Sequence, residues 1–213
     1  MSPQNFIVEI EDYLNANDIS LEDMSTRYEI DDRIFCSGTF DFYYGATRGC
    51  FVPIESHPSF VFKFDLEGLW EEYCVNEVET YKEAVKAGLG DCFLKIEKFD
   101  YIMNTPVYIC EYADETQVRK KRVTKEDLEV IAEHTSTHTK APRIPYSWSK
   151  EFIDYYGGDK FRKFLEFLVR FGINDLHSNN LGYKDGRPVV FDFAGYFEPS
   201  GSDYDDYEGS CNF

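Results

Sequence analysis

Ten residues late in the chain, LGYKDGRPVV at 181–190, have the pattern of two short apolar strands joined by a tight turn. The Asp-Gly dipeptide at 185–186 suits a two-residue turn in which both residues have positive φ. That turn fixes the register of the antiparallel pair, so Asn180 lies opposite Phe191. Asp192 is therefore held beside Asn180 at the open end of the hairpin.

Polar residues cluster at this open end. Asp175 precedes Asn180 by five residues, which places it in a loop over the same spot. One carboxylate and one amide oxygen suit Mg²⁺, a cation that takes few protein ligands and keeps waters and substrate phosphates. A second carboxylate nearby can accept a proton from an attacking hydroxyl. The competing interpretation is an ordinary hairpin with solvated aspartates.

The composition indicates a folded chain of one domain or two small lobes. Of its 213 residues, 43% are hydrophobic and 17% aromatic, which is enough to build a core. The net charge of -18 disfavours direct binding to nucleic acid or to anionic membranes, because like charges repel. The first residues do not have the pattern of a signal peptide, and no apolar run is long enough to span a bilayer. The six cysteines are scattered, so we expect reduced thiols and a cytoplasmic location.

The order of hydrophobic patterns predicts an α+β fold. A helix capped by Ser2 opens the chain, and a second helix begins at Ser20. Aromatic and β-branched residues broken by glycines and prolines predict strands and turns over 32–65. Helical spacing over 74–85 then predicts a helix that ends at the glycines 88–90, and two strands follow at 93–101 and 106–112, joined by a turn near Asn104. Later helices are predicted by a capping box of Thr124 with Asp127, and by a strong apolar face that begins at Asp159 and ends at Gly172.

Five stretches between about residues 30 and 197 resemble the motifs of the protein-kinase-like superfamily, and they follow one another along the chain in the order of that family. DLHSNN at 175–180 is similar to the catalytic loop D-L-H-x-x-N, and DFAG at 192–195 stands where D-F-G would stand. VFK at 61–63 resembles the strand with the phosphate-binding lysine, and YICEYAD at 108–114 resembles the hinge that brackets adenine. The segment CSGTFDFYY at 36–44 is in register with the glycine-rich loop.

The resemblance implies roles for individual residues. Lys63 would hold the α and β phosphates of ATP and pair with Glu77 on the next helix. Asp175 would be the base that orients the substrate hydroxyl. Asn180 and Asp192 would bind Mg²⁺.

The resemblance also implies a nucleotide site. Gly38 would lie at the tip of the phosphate loop with its backbone amides facing the nucleotide. Three hinge residues, Glu111, Tyr112 and Ala113, would contact adenine. Lys63 completes this predicted ATP-binding set.

The implied architecture is a two-lobed kinase-like fold with a reduced helical C-lobe. Its predicted parts are an N-terminal helical extension (1–30), a β-rich N-lobe (31–113), a C-lobe with the catalytic and metal-binding loops (114–198) and an acidic tail (199–213). Three features depart from the family pattern. Cys36 and Asp41 replace two of the three loop glycines, residues 173–174 replace the usual His-Arg, and only 21 residues follow Asp192.

The function implied is ATP- and Mg²⁺-dependent phosphoryl transfer to Ser or Thr of a protein substrate. Small bacteriophage-encoded Ser/Thr protein kinases have a similar loop, which implies a host protein as substrate and the host cytoplasm as location. Three alternatives remain open at this point. They are a pseudokinase that binds or inhibits a partner, a small-molecule phosphotransferase, and an acidic decoy that mimics DNA.

Some residues have a competing interpretation. His134 and His138 have the spacing of a zinc pair, although no HExxH motif accompanies them. We expect His177 to fix the catalytic loop by hydrogen bonds. Glu71 and Glu79 rival Glu77 as partners of the lysine, and the basic RKKR at 119–122 is expected to be a solvated face.

Overall fold

The structure is a computed structural model that describes residues 1–21, 38–45, 47–66, 72–114, 122–136 and 141–194. It is an α+β fold with a five-stranded antiparallel sheet, a two-stranded hairpin and five α-helices in the described part. The strands are β1 (Phe40–Tyr44), β2 (Arg48–Pro53), β3 (Phe60–Asp65), β4 (Ile96–Ile102), β5 (Thr105–Glu111), β6 (Leu181–Lys184) and β7 (Arg187–Val190). The helices are α1 (Pro3–Ala16), α2 (Tyr73–Lys86), α3 (Lys125–Thr135), α4 (Tyr146–Tyr156) and α5 (Gly158–Arg170).

The sheet has the strand order β1-β2-β3-β5-β4, with every neighbouring pair antiparallel. The central strand β3 is buried along most of its length, and its sequence FVFKF accordingly lacks the alternation of a half-exposed strand. Lys63 is the charged residue in that buried run. Its position there requires a partner for the ammonium group, since an unpaired charge in a protein interior is costly.

Helix α1 covers one face of the sheet. Ser2 caps it by accepting a hydrogen bond from Asn5 N, and Pro3 occupies its first turn, as the sequence predicts. The Phe6 ring stacks on Phe62 at a centroid distance of 5.5 Å and meets Phe60 edge to face. This face of the sheet therefore has an aromatic core of its own.

Helix α2 and the later helices share a second core with the other face of the sheet. Trp148 and Phe152 of α4 pack on Phe164 of α5, and all three side chains are fully buried. Phe93 joins this group to the loop after the hairpin by packing on Phe193 at 4.9 Å. The helices and the sheet are thus connected by continuous apolar packing.

The hairpin β6–β7 has the register that Asp185-Gly186 predicts. Leu181 pairs with Val190, both turn residues have positive φ, and Phe191 N donates to Asn180 O at 3.1 Å. The hairpin is held under the end of β5 by two backbone hydrogen bonds between Tyr183 and Asp114. Gly182 permits this approach, because a Cβ there would meet Asp114 O at 2.9 Å.

Two helix predictions need correction or addition. The strong helix begins at Gly158 after Gly157, whose φ of 85° turns the chain sharply out of α4, so Asp159 lies inside the first turn and is not the cap. Helix α4 itself was not predicted. The helix expected from Ser20 and the tail 199–213 fall largely or wholly outside the described residues.

No helix among those described combines the length and the apolar composition needed to cross a membrane.

Candidate functional site

A cleft of about 850 Å³ lies where the sheet faces the hairpin and the loop before it. Its walls come from β1, β2, β3, the end of β5, the loop 173–180 and the segment 191–194. Seven predicted site residues line it: Lys63, Glu111, Tyr112, Ala113, Asp175, Asn180 and Asp192. The structure thus brings together side chains from distant parts of the sequence.

Lys63 is buried, with 9% of its surface exposed, and its ammonium group contacts a carboxylate and a backbone carbonyl. Its Nζ lies 3.0 and 3.1 Å from the two carboxylate oxygens of Glu77, and it donates to Phe191 O at 2.5 Å. Burial is the largest single influence and opposes the charged form, but the Glu77 carboxylate and smaller contributions from neighbouring groups together raise the pKa of Lys63 above its ordinary value. Lys63 is therefore a fixed cation at the cleft wall.

Glu77 is fully buried on α2 and collects donors from three directions. Besides Lys63, it accepts from Arg48 Nη1 at 2.8 Å and from Phe193 N at 3.3 Å. The predicted pairing of Lys63 with Glu77 is confirmed. The rival Glu79 is exposed and pairs with Lys82, and the rival Glu71 lies outside the described residues.

Asp65 fixes the helix that carries Glu77. It ends β3, two residues after Lys63, and its carboxylate accepts from Cys74 N at 2.9 and 3.2 Å. Glu72, the residue in the N-cap position of α2, makes no capping bond of its own. Asp65 therefore acts as the cap and sets the helix against the strand beside Lys63.

The loop 175–180 is organised by its own side chains. Asn180 Nδ2 donates to Asp175 O at 2.7 Å, and Asn179 N donates to His177 Nδ1 at 3.1 Å. Because Nδ1 accepts this hydrogen bond, Nε2 is the ring nitrogen that carries hydrogen, and it lies 3.4 Å from Asp175 Oδ1. His177 thus has the loop-fixing contacts that the sequence predicts, and the Asp175 carboxylate stays half-exposed to the cleft.

Asn180 and Asp192 are the candidate metal ligands. The Asn180 amide nitrogen faces Asp175 O, which leaves the amide oxygen as the group that can face a cation. No cluster of three or more His, Cys, Asp or Glu side chains suited to a metal occurs in the described part of the chain. A pair of one carboxylate and one amide oxygen fits Mg²⁺, which completes its shell with water and phosphate.

The predicted hinge residues lie at the end of β5. Glu111 N donates to Lys95 O at 3.0 Å, and Tyr112 N donates to Ser59 O at 3.3 Å. Asp114 then pairs with the hairpin, so the segment between strand and hairpin is fixed at both ends. Ala113 lies between these anchors and lines the cleft.

The prediction that Gly38 lies at the tip of a phosphate loop is wrong. The turn between β1 and β2 falls at 45–47, and Gly38 precedes β1, at the other end of that hairpin and outside the cleft lining. The family resemblance aligns residues 36–44 with the glycine-rich loop, but the aromatic residues of this segment form strand β1. Asp41 is accordingly an exposed strand residue that does not line the cleft, and Cys36 lies outside the described residues.

Arg48 is a site residue that the sequence analysis missed. It begins β2 directly after the turn at 45–47, and its side chain is 11% exposed. Its Nη1 pairs with Glu77 and its Nη2 with Asp192 Oδ1. The alternation of exposure along β2, which places residues 48, 50 and 52 on the cleft side, is the signal that marks it.

Two thiols flank Lys63 in the cleft wall. Cys50 is the β2 partner of Lys63, and Cys110 lies on β5. Burial raises the pKa of Cys50 to about 11 and that of Cys110 to about 12. Both are therefore neutral thiols at physiological pH and behave as small apolar residues.

His134 has a structural partner in place of a metal. Its Nδ1 lies 2.8 Å from Arg162 Nη1, and its ring packs against Gly158 at the start of α5. His138 lies outside the described residues. The contacts of His134 therefore account for it without zinc.

Neither a known protein family nor a curated protein sequence gives a significant match to the chain.

Proposed function

We propose that the protein is a reduced, two-lobed kinase-like phosphotransferase that moves the γ-phosphoryl group of ATP to a Ser or Thr hydroxyl of a protein, with Mg²⁺ as cofactor. The observation that carries the proposal is the convergence of Lys63, Asp175, Asn180 and Asp192 on one cleft. The hairpin brings Asp175, Asn180 and Asp192 together locally, but Lys63 is remote in sequence, so its place beside them is informative. A buried Lys–Glu pair beside this cleft adds a charged group suited to phosphate.

The charged groups divide the work of phosphoryl transfer, in which positioning and electrostatic stabilisation dominate. Lys63, held by Glu77, would bind the α and β phosphates. Asn180 and Asp192 would hold Mg²⁺, which supplies neutralisation of charge on the phosphate oxygens when it is bound. Asp175 is exposed enough to meet an incoming hydroxyl and would accept its proton.

The other end of the cleft suits the base of the nucleotide. Residues 111–113 line this end of the cleft, and Val52 and Val61 supply apolar surface on the sheet side. Leu94 lines the same region from a buried position. An apolar slot next to a charged end is the arrangement that a nucleoside triphosphate needs.

Ligand-dependent unfolding tests the nucleotide site. ATP at about 100 times its Kd should raise the melting temperature of the wild type by roughly 5–10 °C in Mg²⁺. Asp192→Ala should lose the part of that rise that depends on Mg²⁺, whereas Asp154→Ala, which removes an exposed carboxylate of α4, should keep it. If MgATP does not raise the melting temperature of the wild type, the proposal is refuted.

Transfer of label from [γ-³²P]ATP to proteins of a cell lysate tests the reaction itself. We expect labelled Ser or Thr with the wild type and a loss of at least about a hundredfold with Asp175→Asn, because the substituted amide cannot accept the proton. Equal labelling by the two proteins would remove Asp175 from the mechanism.

A nucleotide-binding protein without catalysis is the second candidate. The ion pair between Arg48 and Asp192 favours it, because a metal ligand that is engaged by a guanidinium is not free for a cation. That candidate predicts stabilisation by ATP without Mg²⁺ dependence and no labelling of any protein.

A further inference from the structure

Arg48 joins two groups with different tasks in the proposed site. Its Nη1 is bound to the buried carboxylate of Glu77, and its Nη2 to the carboxylate of Asp192. The Asp192 side chain is 39% exposed, so this second contact lies toward the open cleft, whereas the first is fully enclosed. One arm of the guanidinium is therefore anchored and the other can change partner.

The charges of the cleft show what that change would require. Lys63 and Arg48 carry two positive charges, and Glu77 and Asp192 carry two negative charges. A cation at Asp192 would be repelled by the guanidinium already there. A phosphate group that entered at the same moment would give the guanidinium a new anionic partner.

Position makes Arg48 suitable for phosphate. It follows the turn 45–47, and it shares the cleft lining with Thr47, Gly49 and Lys63. The planar fork of a guanidinium matches two phosphate oxygens, and a buried arginine keeps its charge. Burial lowers the pKa of Arg48, but Glu77 together with Asp65 and other neighbouring groups raises it above the ordinary value.

We propose that Arg48 exchanges partners: it holds Asp192 in the nucleotide-free protein and turns to the β and γ phosphates when a nucleoside triphosphate enters. The release of Asp192 then opens the metal site. This inference rests on the proposed function and adds a regulatory property to it, since metal and triphosphate each assist the binding of the other. Metal alone has to displace the guanidinium and binds weakly.

Arg48→Met tests the exchange because the two predicted effects have opposite signs. The affinity for ATP in Mg²⁺ should fall about tenfold or more, while the affinity for adenosine should stay within twofold, since only the phosphate contact is lost. The affinity for Mn²⁺ alone, measured by electron paramagnetic resonance of the free ion, should rise about tenfold, since Asp192 loses its competitor. A merely structural role would lower all three affinities together.

Arg143→Met is the matched control, because Arg143 is exposed and does not line the cleft. All three affinities should equal those of the wild type. Arg48→Lys serves if the methionine variant does not fold: it keeps the charge but loses the fork, so ATP affinity should fall while Mn²⁺ affinity stays near the wild-type value.

The outcomes separate the two proposals. If Arg48→Met binds ATP as tightly as the wild type, or does not bind Mn²⁺ more tightly than the wild type, the exchange is overturned and the proposed function stands. A wild type that binds no ATP would overturn both.

Discussion

Glu77 is the residue on which both cleft cations depend. It is the shared partner of Lys63 and Arg48 and also accepts from the backbone of Phe193, at zero exposure. A carboxylate in such a place is stabilised only because its donors are complete. Its contribution is therefore to the position of two side chains as well as to the fold.

Glu77→Gln should destabilise the protein by about 3–5 kcal/mol, because the buried Lys63 and Arg48 would lose the carboxylate that they share. Urea unfolding measures the loss. Glu79 lies two residues further along the same helix and is exposed. Glu79→Gln should therefore change the free energy of unfolding by less than about 0.5 kcal/mol. Equal effects of the two substitutions would contradict the assignment of Glu77 as the central partner.

The residue pairs differ in how far the sequence predicts them. Lys63 and Glu77 lie 14 residues apart on a strand and the next helix, where the resemblance predicts such a pair. Arg48 and Asp192 are 144 residues apart. No spacing rule reaches that distance, and the exposure of β2 that would mark Arg48 is known only once the sheet is formed.

At the scale of elements, the cap of α2 links the sheet to the site. Asp65→Ala should cost about 1–2 kcal/mol, the usual effect of a lost helix cap, and should also weaken MgATP binding, since α2 carries Glu77. Thermal unfolding and isothermal titration measure the two effects.

Thr124→Ala is the matched control, because Thr124 caps α3 through its capping box with Asp127 and α3 carries no site residue. It should cost a similar free energy of unfolding and leave MgATP affinity within twofold. A parallel loss of affinity in both variants would show that the cap acts only through global stability.

Elements were predicted best where local chemistry decides them. The Asp-Gly turn fixes the hairpin register, and the Thr124 box marks the start of α3, so both predictions are confirmed. The phosphate loop was misplaced because one glycine does not mark a turn: Gly38 precedes the strand and the turn lies at 45–47. Which aromatic run becomes a strand depends on its neighbours in the sheet.

At the scale of the whole molecule, the buried thiols make the free energy of unfolding depend on pH in the alkaline range. Burial raises the pKa of Cys110 to about 12 from the ordinary 9.0, so the folded protein keeps this proton when the unfolded chain has lost it. Stability therefore falls as pH rises above 9. From pH 8 to pH 10 this one thiol should account for a loss of about 1.4 kcal/mol.

Urea unfolding under reducing conditions at both pH values checks this dependence. Cys110→Ala should be less stable than the wild type at pH 8, because a buried atom is lost, but its stability should fall less between the two pH values. Parallel pH profiles would exclude Cys110 as a cause.

The aromatic face that α1 covers has a consequence for synthesis. Phe6 emerges from the ribosome before its partners Phe40, Phe60 and Phe62, and the same core also takes Val107 from β5. Translation proceeds at about 5–20 residues per second, so several seconds pass between the synthesis of this helix and the synthesis of its packing partners. The nascent chain therefore exposes the apolar face of this helix before the residues that cover it have been synthesised.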